Sequence, residues 1–269
     1  MKRQKRSFYL VRRLLTVLLL FILIFGCVGT RPQPNWTASQ YFHYAMELFT
    51  DGDYYEAANE FTVIVLRYPG SVVSDSAQFY LAESHFFMGE YIIAAAEYEK
   101  LINSMARSPL VPQAQFRLAE SYFELSPRPS LDQEYTHKAI REFQNFIEEF
   151  PTHPLREEAE KKISILRSKL AEKKYLSAEI YRKMRKFRAA IIYYDLVLER
   201  YYDTEWADDA MYGKILTYVE NEDYNAARLE IYKFQQQFPN SEYIEEVNTY
   251  MQELPAEEEQ EQANESGES

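Results

Sequence analysis

The sequence predicts an all-α fold in which five helical hairpins stack into a right-handed superhelical solenoid. Five segments share a small residue followed four positions later by an aromatic residue or isoleucine, and in three of them proline comes eight positions after that. The small residues are Ala57, Ala94, Ala139, Ala190 and Ala227. A second series lies twelve residues upstream in four segments and twenty upstream in the third: Ala45, Ala82, Ala119, Ala178 and Ile215. Small residues on both helices of a pair allow the two backbones to approach closely.

This pattern is typical of the tetratricopeptide repeat (TPR), a helix–turn–helix unit of about 34 residues. Gly52 and Gly89 lie in the predicted turns, where the end of a helix needs a permissive backbone. Pro69, Pro151 and Pro239 end three of the second helices, because proline cannot continue a helix. One hairpin alone cannot bury its apolar face, so we predict that all five stack.

The third repeat departs from the others. Its two small positions are separated by an additional eight residues, which we place in a loop, "SPRPSLDQ", at 126–133. After Pro151 the chain has no glycine or proline beyond Pro154 for about 30 residues, and apolar side chains recur there at helical spacing. We therefore predict one long helix that links repeats three and four and divides the solenoid into two halves.

The N-terminus has the layout of a secretory signal. Six basic residues and no acidic ones precede Cys27, and the stretch from Leu14 to Phe25 is apolar except for Thr16. That stretch is shorter than the roughly 20 residues that span a bilayer as a helix. The alternative is an uncleaved anchor helix in which the single cysteine of the chain is incidental. In both interpretations everything after Cys27 is exported.

Gly26 and Cys27 resemble a bacterial lipobox, although Phe25 is bulkier than the residue usual there. The resemblance implies that Cys27 carries a covalent lipid and becomes the first residue of the mature chain. Val28 is not the aspartate that often retains lipoproteins at the inner membrane, so the resemblance implies an outer-membrane location facing the periplasm. Loss of residues 1–26 would change the formal net charge from −12 to −18.

Such an acidic chain is a poor partner for nucleic acid or for an anionic membrane surface. Part of the charge lies in the final segment, "PAEEEQEQANESGES", which contains no aromatic or large aliphatic residue and is predicted to be disordered. The predicted organisation is a signal peptide at 1–26, a lipidated tether at 27–36, repeats one to three at 37–152, the long helix with repeats four and five at 153–254, and an acidic tail at 255–269.

The order of these parts resembles the BamD family of outer-membrane protein assembly lipoproteins. The resemblance rests on the third-repeat segment "SPRPSLDQEYTHKAIREFQNFIEEFP" and on the long helix that runs into "LAEKKYLSAEIYRKMRKFRAAIIYYDLVLERYYDT". It implies a solenoid without catalytic activity that binds the barrel protein BamA, other lipoproteins of the assembly complex and unfolded outer-membrane proteins. A different periplasmic TPR lipoprotein, an adaptor for peptidoglycan or cell-division enzymes, is the alternative.

Phenylalanines recur every 37 residues in the first three repeats, three positions before and four positions after the first small residue. They are Phe42, Phe79 and Phe116 in the first series and Phe49, Phe86 and Phe123 in the second. In a TPR these positions face the concave groove, and rigid aromatic surface anchors peptides at low entropic cost. We predict a groove for unfolded, aromatic-rich barrel segments. The alternative is that these side chains belong to the core.

A basic run, "RKMRKFR", occupies the predicted turn of repeat four. Its cations are Arg182, Lys183, Arg185, Lys186 and Arg188. It is either a solvated loop or a docking site for an acidic partner surface, and the family resemblance favours docking, with charge setting specificity and association rate.

Catalytic motifs are missing from the sequence. The four histidines are scattered without metal-ligand spacing, and no phosphate-binding glycine loop or nucleophile elbow occurs. We therefore expect neither an enzyme nor a metal or cofactor other than the lipid on Cys27.

Overall fold

The computed structural model describes residues 35–255, which contain helices and no strand. The signal peptide, Cys27, most of the tether and nearly all of the acidic tail lie outside the described residues. The helices are α1 (Ala38–Thr50), α2 (Tyr54–Arg67), α3 (Ser74–Phe87), α4 (Tyr91–Ser104), α5 (Val111–Leu125), α6 (Glu134–Glu149), α7 (Arg156–Lys183), α8 (Phe187–Arg200), α9 (Trp206–Glu220), α10 (Tyr224–Gln237) and α11 (Ile244–Glu253). The predicted all-α fold of TPR hairpins is confirmed.

The chain forms two compact units, one up to Ala77 and one from Gln78, with the boundary inside α3. The first unit is the hairpin of α1 and α2. Helix α1 begins with a capping box, in which the Gln40 backbone N–H donates to Thr37 Oγ1 at 3.4 Å and the Thr37 N–H donates to Gln40 Oε1 at 2.9 Å. Phe61 of α2 is fully buried in this hairpin.

In the second unit, helices pack against their neighbours in chain order from α4 to α11. Apolar clusters join the two helices of each pair and extend to the first helix of the next pair, as expected of a repeat stack. Helix α11 follows the fifth pair and covers its apolar face through Val247, which is fully buried, while Glu245, Glu246 and Gln252 of the same helix are exposed. It therefore caps the stack with a polar outer surface.

The small positions of the sequence pattern lie where the two helices of each hairpin pack together. All nine alanines of the two series, and Ile215, are fully buried. Gly213 of α9 marks a similarly close contact, because a Cβ atom built there would lie 2.6 Å from the Tyr194 ring of α8.

The third-repeat loop and the long helix lie where the sequence places them, but the predicted division of the solenoid at this helix is wrong, because α7 lies inside the second unit and the boundary between the units falls in α3. Helix α5 ends at Leu125 and α6 begins at Glu134, so the connection covers 126–133. Helix α7 has 28 residues. It packs against α6 and α8 and also contacts α5 and α9. It closes repeat three and supplies the first helix of repeat four. Lys169 of α7 donates to Ser126 O at 3.2 Å and to Ser126 Oγ at 2.8 Å, which attaches the loop to this helix.

The turns inside four of the hairpins share one backbone conformation. The residue seven positions after the first small residue has a positive φ in each: Gly52 at 86°, Gly89 at 78°, Arg185 at 56° and Glu222 at 60°. A left-handed conformation costs a non-glycine residue roughly 1–2 kcal/mol. Repeats four and five therefore keep the turn without the residue that suits it best.

Candidate peptide-binding and docking surfaces

The first phenylalanine series belongs to the core wherever it lies in the second unit. Phe79 and Phe116 are only 4% and 3% exposed. Phe79 contacts Tyr98 with ring centroids 5.8 Å apart, and Phe116 contacts Phe143 at 5.6 Å. Their predicted place in a peptide groove is wrong, because the face of the first helix that carries them is turned toward the second helix of its own hairpin. In the first unit, Phe42 is half-buried and lies 5.8 Å from Phe61.

The second series is half-buried: Phe49 in the first unit, Phe86 and Phe123 in the second. In the second unit each ring has a cation on it from the first helix of the next repeat. The Arg117 guanidinium lies 3.9 Å from the Phe86 centroid, and the Lys162 ammonium lies 4.6 Å from the Phe123 centroid. Both distances are within the range of cation–π attraction. A peptide would therefore meet a surface of aromatic rings and cations rather than bare rings.

These cations are held by two glutamates in a network that runs from α3 to α7. Arg117 donates from Nε to Glu83 Oε1 at 2.6 Å and from Nη2 to Glu83 Oε2 at 2.9 Å. It also donates from Nη1 to Glu120 Oε2 at 2.8 Å, and Lys162 Nζ lies 2.9 Å from Glu120 Oε1. The network thus alternates charges across three consecutive first helices. Bidentate pairing of this kind fixes geometry as well as energy.

Tyr98 completes the network from the second helix of its hairpin by donating its hydroxyl to Glu83. Burial, followed by the nearby Glu83 carboxylate, raises the pKa of Tyr98. Burial opposes the charged form of Arg117 more than any one partner favours it, but Glu83, Tyr98 and Glu120 together outweigh burial and raise the pKa of the guanidinium. Both groups therefore keep their usual protonation state near neutral pH.

The sequence contains a pattern that indicates this network. Glutamate follows the small alanine directly in three first helices, as Glu83, Glu120 and Glu179. All three glutamate side chains are largely enclosed, and a glutamate repeated at one position of the repeat indicates a recurring ion pair.

Glu179 is the centre of a second network, at the end of α7, and this network includes Arg182 of the basic run. Arg182 donates to Glu179 Oε2 from Nη2 at 3.0 Å and also donates to Glu220 of α9. Tyr194 donates its hydroxyl to Glu179. Burial alone would raise the pKa of Glu179, but the bonds from Arg182 and Tyr194 lower it. The prediction that Arg182 is a docking residue is therefore wrong, because its guanidinium already pairs with Glu179 and Glu220.

The remaining cations of the run lie in the turn between α7 and α8 or at the helix ends beside it. Arg185, Lys186 and Arg188 are exposed, and no carboxylate among residues 35–255 forms an ion pair with them. Lys183 is also exposed, with Nζ 3.8 Å from Glu179 Oε2. Four of the five predicted docking residues are thus available at the surface.

Three of these four cations border an open cleft of about 810 Å³. Arg185, Lys186 and Arg188 form one rim, and Asn221 and Asp223 of the turn between α9 and α10 form the other. The apolar lining comes from Phe187, Ile191, Ile192 and Tyr218. A basic rim above an apolar floor suits a partner segment that carries both carboxylates and apolar side chains.

The first unit has a smaller cleft that was not predicted. It measures about 320 Å³ and is lined by Trp36, Ser39, Gln40, His43, Tyr44 and Glu47. Trp36 packs edge-on against Tyr44 with ring centroids 5.8 Å apart. A half-buried aromatic wall beside polar side chains is the composition expected of a peptide-binding surface.

Two kinds of site are not found within residues 35–255. No group of His, Cys, Asp and Glu side chains there could hold a metal ion. No helix in this range has the length and apolar composition needed to cross a bilayer.

The model of one protein family matches residues 34–218, which is more than half of the chain; its description is "YfiO: Outer membrane lipoprotein". No curated protein matches the sequence.

Similar solved structures are TPR proteins. One from Parabacteroides merdae is 14% identical, covers 81% of this chain and 72% of its own, and has a TM-score of 0.36. The TPR2AB domain of yeast Sti1 in complex with pHSP90 is 14% identical, with 76% and 78% covered and a TM-score of 0.40. A thermophilic TPR protein of Thermus thermophilus is 16% identical, with 80% and 99% covered and a TM-score of 0.35.

Proposed function

Because the chain belongs to the YfiO (BamD) family of outer membrane lipoproteins, we propose that it is a non-catalytic scaffold of the outer-membrane β-barrel assembly machinery. In this role it binds a BamA-like barrel protein, other lipoproteins of the complex and unfolded outer-membrane proteins. A lipid on Cys27 anchors it to the periplasmic face of the outer membrane. The observation that carries the proposal is the match of the family model over residues 34–218.

The cleft beside the α7–α8 turn is the proposed docking site for the barrel protein. Arg185, Lys186 and Arg188 offer three exposed charges without a carboxylate partner in the described part of the chain. Charges at such a rim raise the association rate and select an acidic partner surface. The apolar floor, with Phe187 and Tyr218, supplies the area that becomes desolvated on binding.

For unfolded substrates we propose two surfaces, each within one unit: Phe86 and Phe123 in the second unit, and Phe49 with the aromatic cleft at Trp36 in the first. Phe49, Phe86 and Phe123 keep part of their surface accessible, unlike Phe79 and Phe116. Barrel strands alternate aromatic or aliphatic side chains with polar ones. Such a segment matches rings that are flanked by the cations Arg117 and Lys162.

A crosslinked pull-down of the tagged chain from intact envelopes tests the docking site. The variant R185E/K186E/R188E should recover at least about tenfold less of a BamA-like barrel protein than the unchanged chain, in line with the coupling energies of close charge pairs. The matched control, R107E/R128E/K161E, reverses three exposed cations elsewhere in the second unit and should leave recovery unchanged.

Equal recovery with both triple variants would overturn the assignment of the cleft. Recovery of murein hydrolases or synthases by the unchanged chain, without any barrel protein, would overturn the assembly role and establish an adaptor for peptidoglycan enzymes instead.

A further inference from the structure

The basic cleft lies at the same end of the helix stack as the point where the described chain stops. The α7–α8 turn and the α9–α10 turn meet there through the bond from Arg182 to Glu220. Helix α11 ends beside them: Leu254 packs against the same buried cluster as Val219 in the last turn of α9. Burial raises the pKa of Tyr250 of α11, the carboxylates of Glu246 and Glu253 raise it further, and that of Glu220 adds a smaller contribution. The described chain therefore ends near the α9–α10 turn, which forms one rim of the cleft.

The segment that leaves from this point has the charge that the cleft lacks. Residues 256–269 contain six glutamates and no basic residue, and four of the glutamates fall within 257–261. The acidic groups already near the cleft are engaged. Glu220 accepts from Arg182, and Asp223 accepts the Ala226 backbone N–H at 3.2 Å as the cap of α10. Arg185, Lys186 and Arg188 thus remain as the cations that a further carboxylate can neutralise, and Lys183 beside them has only Glu179, at 3.8 Å, among the described residues.

The length of the tail is sufficient. Residues 256–269 can span up to about 46 Å when extended. Adjacent helices pack about 8–10 Å apart, and the tail has to pass the end of α9, whose turn forms the opposite rim, and cross the cleft to the α7–α8 turn, which is about two helix spacings or ~20 Å. A short tether also keeps the glutamates near the cations at a local concentration in the millimolar range.

We propose that the acidic tail docks in cis on the basic rim of the cleft, with Glu261, Glu265 and Glu268 placed against Arg185, Lys186, Arg188 and the adjoining Lys183. The tail has no aromatic or large aliphatic residue, so it neutralises the rim and leaves the apolar floor unfilled. If the proposed function is correct, the tail competes with an acidic partner for these cations, but docking of the tail does not itself depend on any partner.

Carbodiimide crosslinking of the full chain tests this directly, because the reagent joins a carboxylate to a lysine ammonium in contact with it. The chain is purified from membranes as an equal mixture of ordinary and ¹⁵N-labelled protein, and crosslinked peptides are identified by mass spectrometry. We expect tail glutamates to couple to Lys183 and Lys186 at least about tenfold more than to Lys161, which is exposed elsewhere on α7. These crosslinks should form within one labelled species.

A double variant provides the decisive comparison. R185E/R188E keeps both reporter lysines but reverses the neighbouring charges, so the crosslinks from the tail should fall at least about fivefold. R107E/R128E is the matched control and should leave them unchanged. The Glu179–Lys183 crosslink, from a pair 3.8 Å apart, should persist in every variant and shows that the lysine is still reactive.

Three results would overturn the proposal. They are equal coupling of the tail to Lys161, crosslinks that join differently labelled molecules as often as identically labelled ones, and yields that R185E/R188E does not change. The second result would show that the tail binds another copy of the chain. Because no barrel protein takes part in the assay, its failure would leave the proposed docking of a partner untouched, and the pull-down could fail while these crosslinks form.

Discussion

Replacement of Arg117 by methionine removes the cation that joins two consecutive repeats. Arg117 makes a bidentate pair with Glu83, a further bond to Glu120 and a contact with the Phe86 ring at 3.9 Å. Its side chain is 17% exposed, and that of Glu83 is 11% exposed. Methionine keeps much of the packing volume, so the main effect is an uncompensated carboxylate in a mostly buried place.

The magnitude follows from the partners that remain. Breaking a buried pair by removing one member costs about 3–5 kcal/mol. The lower end applies because Tyr98 still donates to Glu83 and Lys162 still pairs with Glu120. We therefore expect about 3 kcal/mol of lost stability. The same substitution at Arg167, whose pair with Asp203 is 28% and 47% exposed, should cost less than about 1 kcal/mol.

Urea denaturation followed by circular dichroism compares the two variants with the unchanged chain. A third variant, E83Q/R117M, removes the carboxylate as well as the cation and should recover about 1–2 kcal/mol relative to R117M, because no isolated charge stays buried. Equal midpoints for R117M and R167M would refute the reasoning and would assign the network to the solvated surface.

Four further outcomes are expected. G213A places a Cβ atom 2.6 Å from the Tyr194 ring and should cost about 1–3 kcal/mol; full stability of G213A by thermal melting would contradict the contact. E222G should stabilise the chain by about 1 kcal/mol in the same melts, because the φ of 60° favours glycine, whereas a lower midpoint would contradict this. C27S should abolish labelling by radioactive palmitate and release the chain from outer-membrane fractions, whereas unchanged membrane attachment would favour an uncleaved anchor. The folded-state pKa of Glu179 is lowered, so its contribution to stability is complete above the ordinary glutamate pKa and disappears as pH falls through the lowered pKa. E179Q should therefore flatten the acid limb of a plot of unfolding free energy against pH. An unchanged acid limb would count against the Glu179 network.

The hairpin cores could be predicted because they depend on short-range spacing. The alanines at the small positions, the 126–133 loop and the 28-residue helix follow from periodicity and from proline and glycine placement, which act locally. The turn conformation of Arg185 and Glu222 could not be predicted in this way, since neither residue favours a positive φ. Packing of the two helices on either side enforces it.

The surface predictions failed where a side chain's environment depends on neighbouring repeats. Phe79 and Phe86 both recur every 37 residues, yet one is buried in its hairpin and the other carries a guanidinium on its ring. Arg182 and Arg185 lie three residues apart in one basic run, but only Arg182 meets Glu220 of the next repeat. A sequence period shows that positions are equivalent along the stack and does not show which element covers them.

The continuity of α7 has a mechanical consequence. At 1.5 Å per residue, its 28 residues form a rod of about 42 Å that belongs to repeat three at one end and repeat four at the other. Two repeats joined by a loop could swing about it, whereas a change of angle here must bend the rod and strain its hydrogen bonds. A force applied at the basic cleft, next to the C-terminal end of α7, would therefore displace the N-terminal end of α7, where Lys162 contacts the Phe123 ring. The second unit is built to transmit force along α7 rather than to absorb it in a hinge.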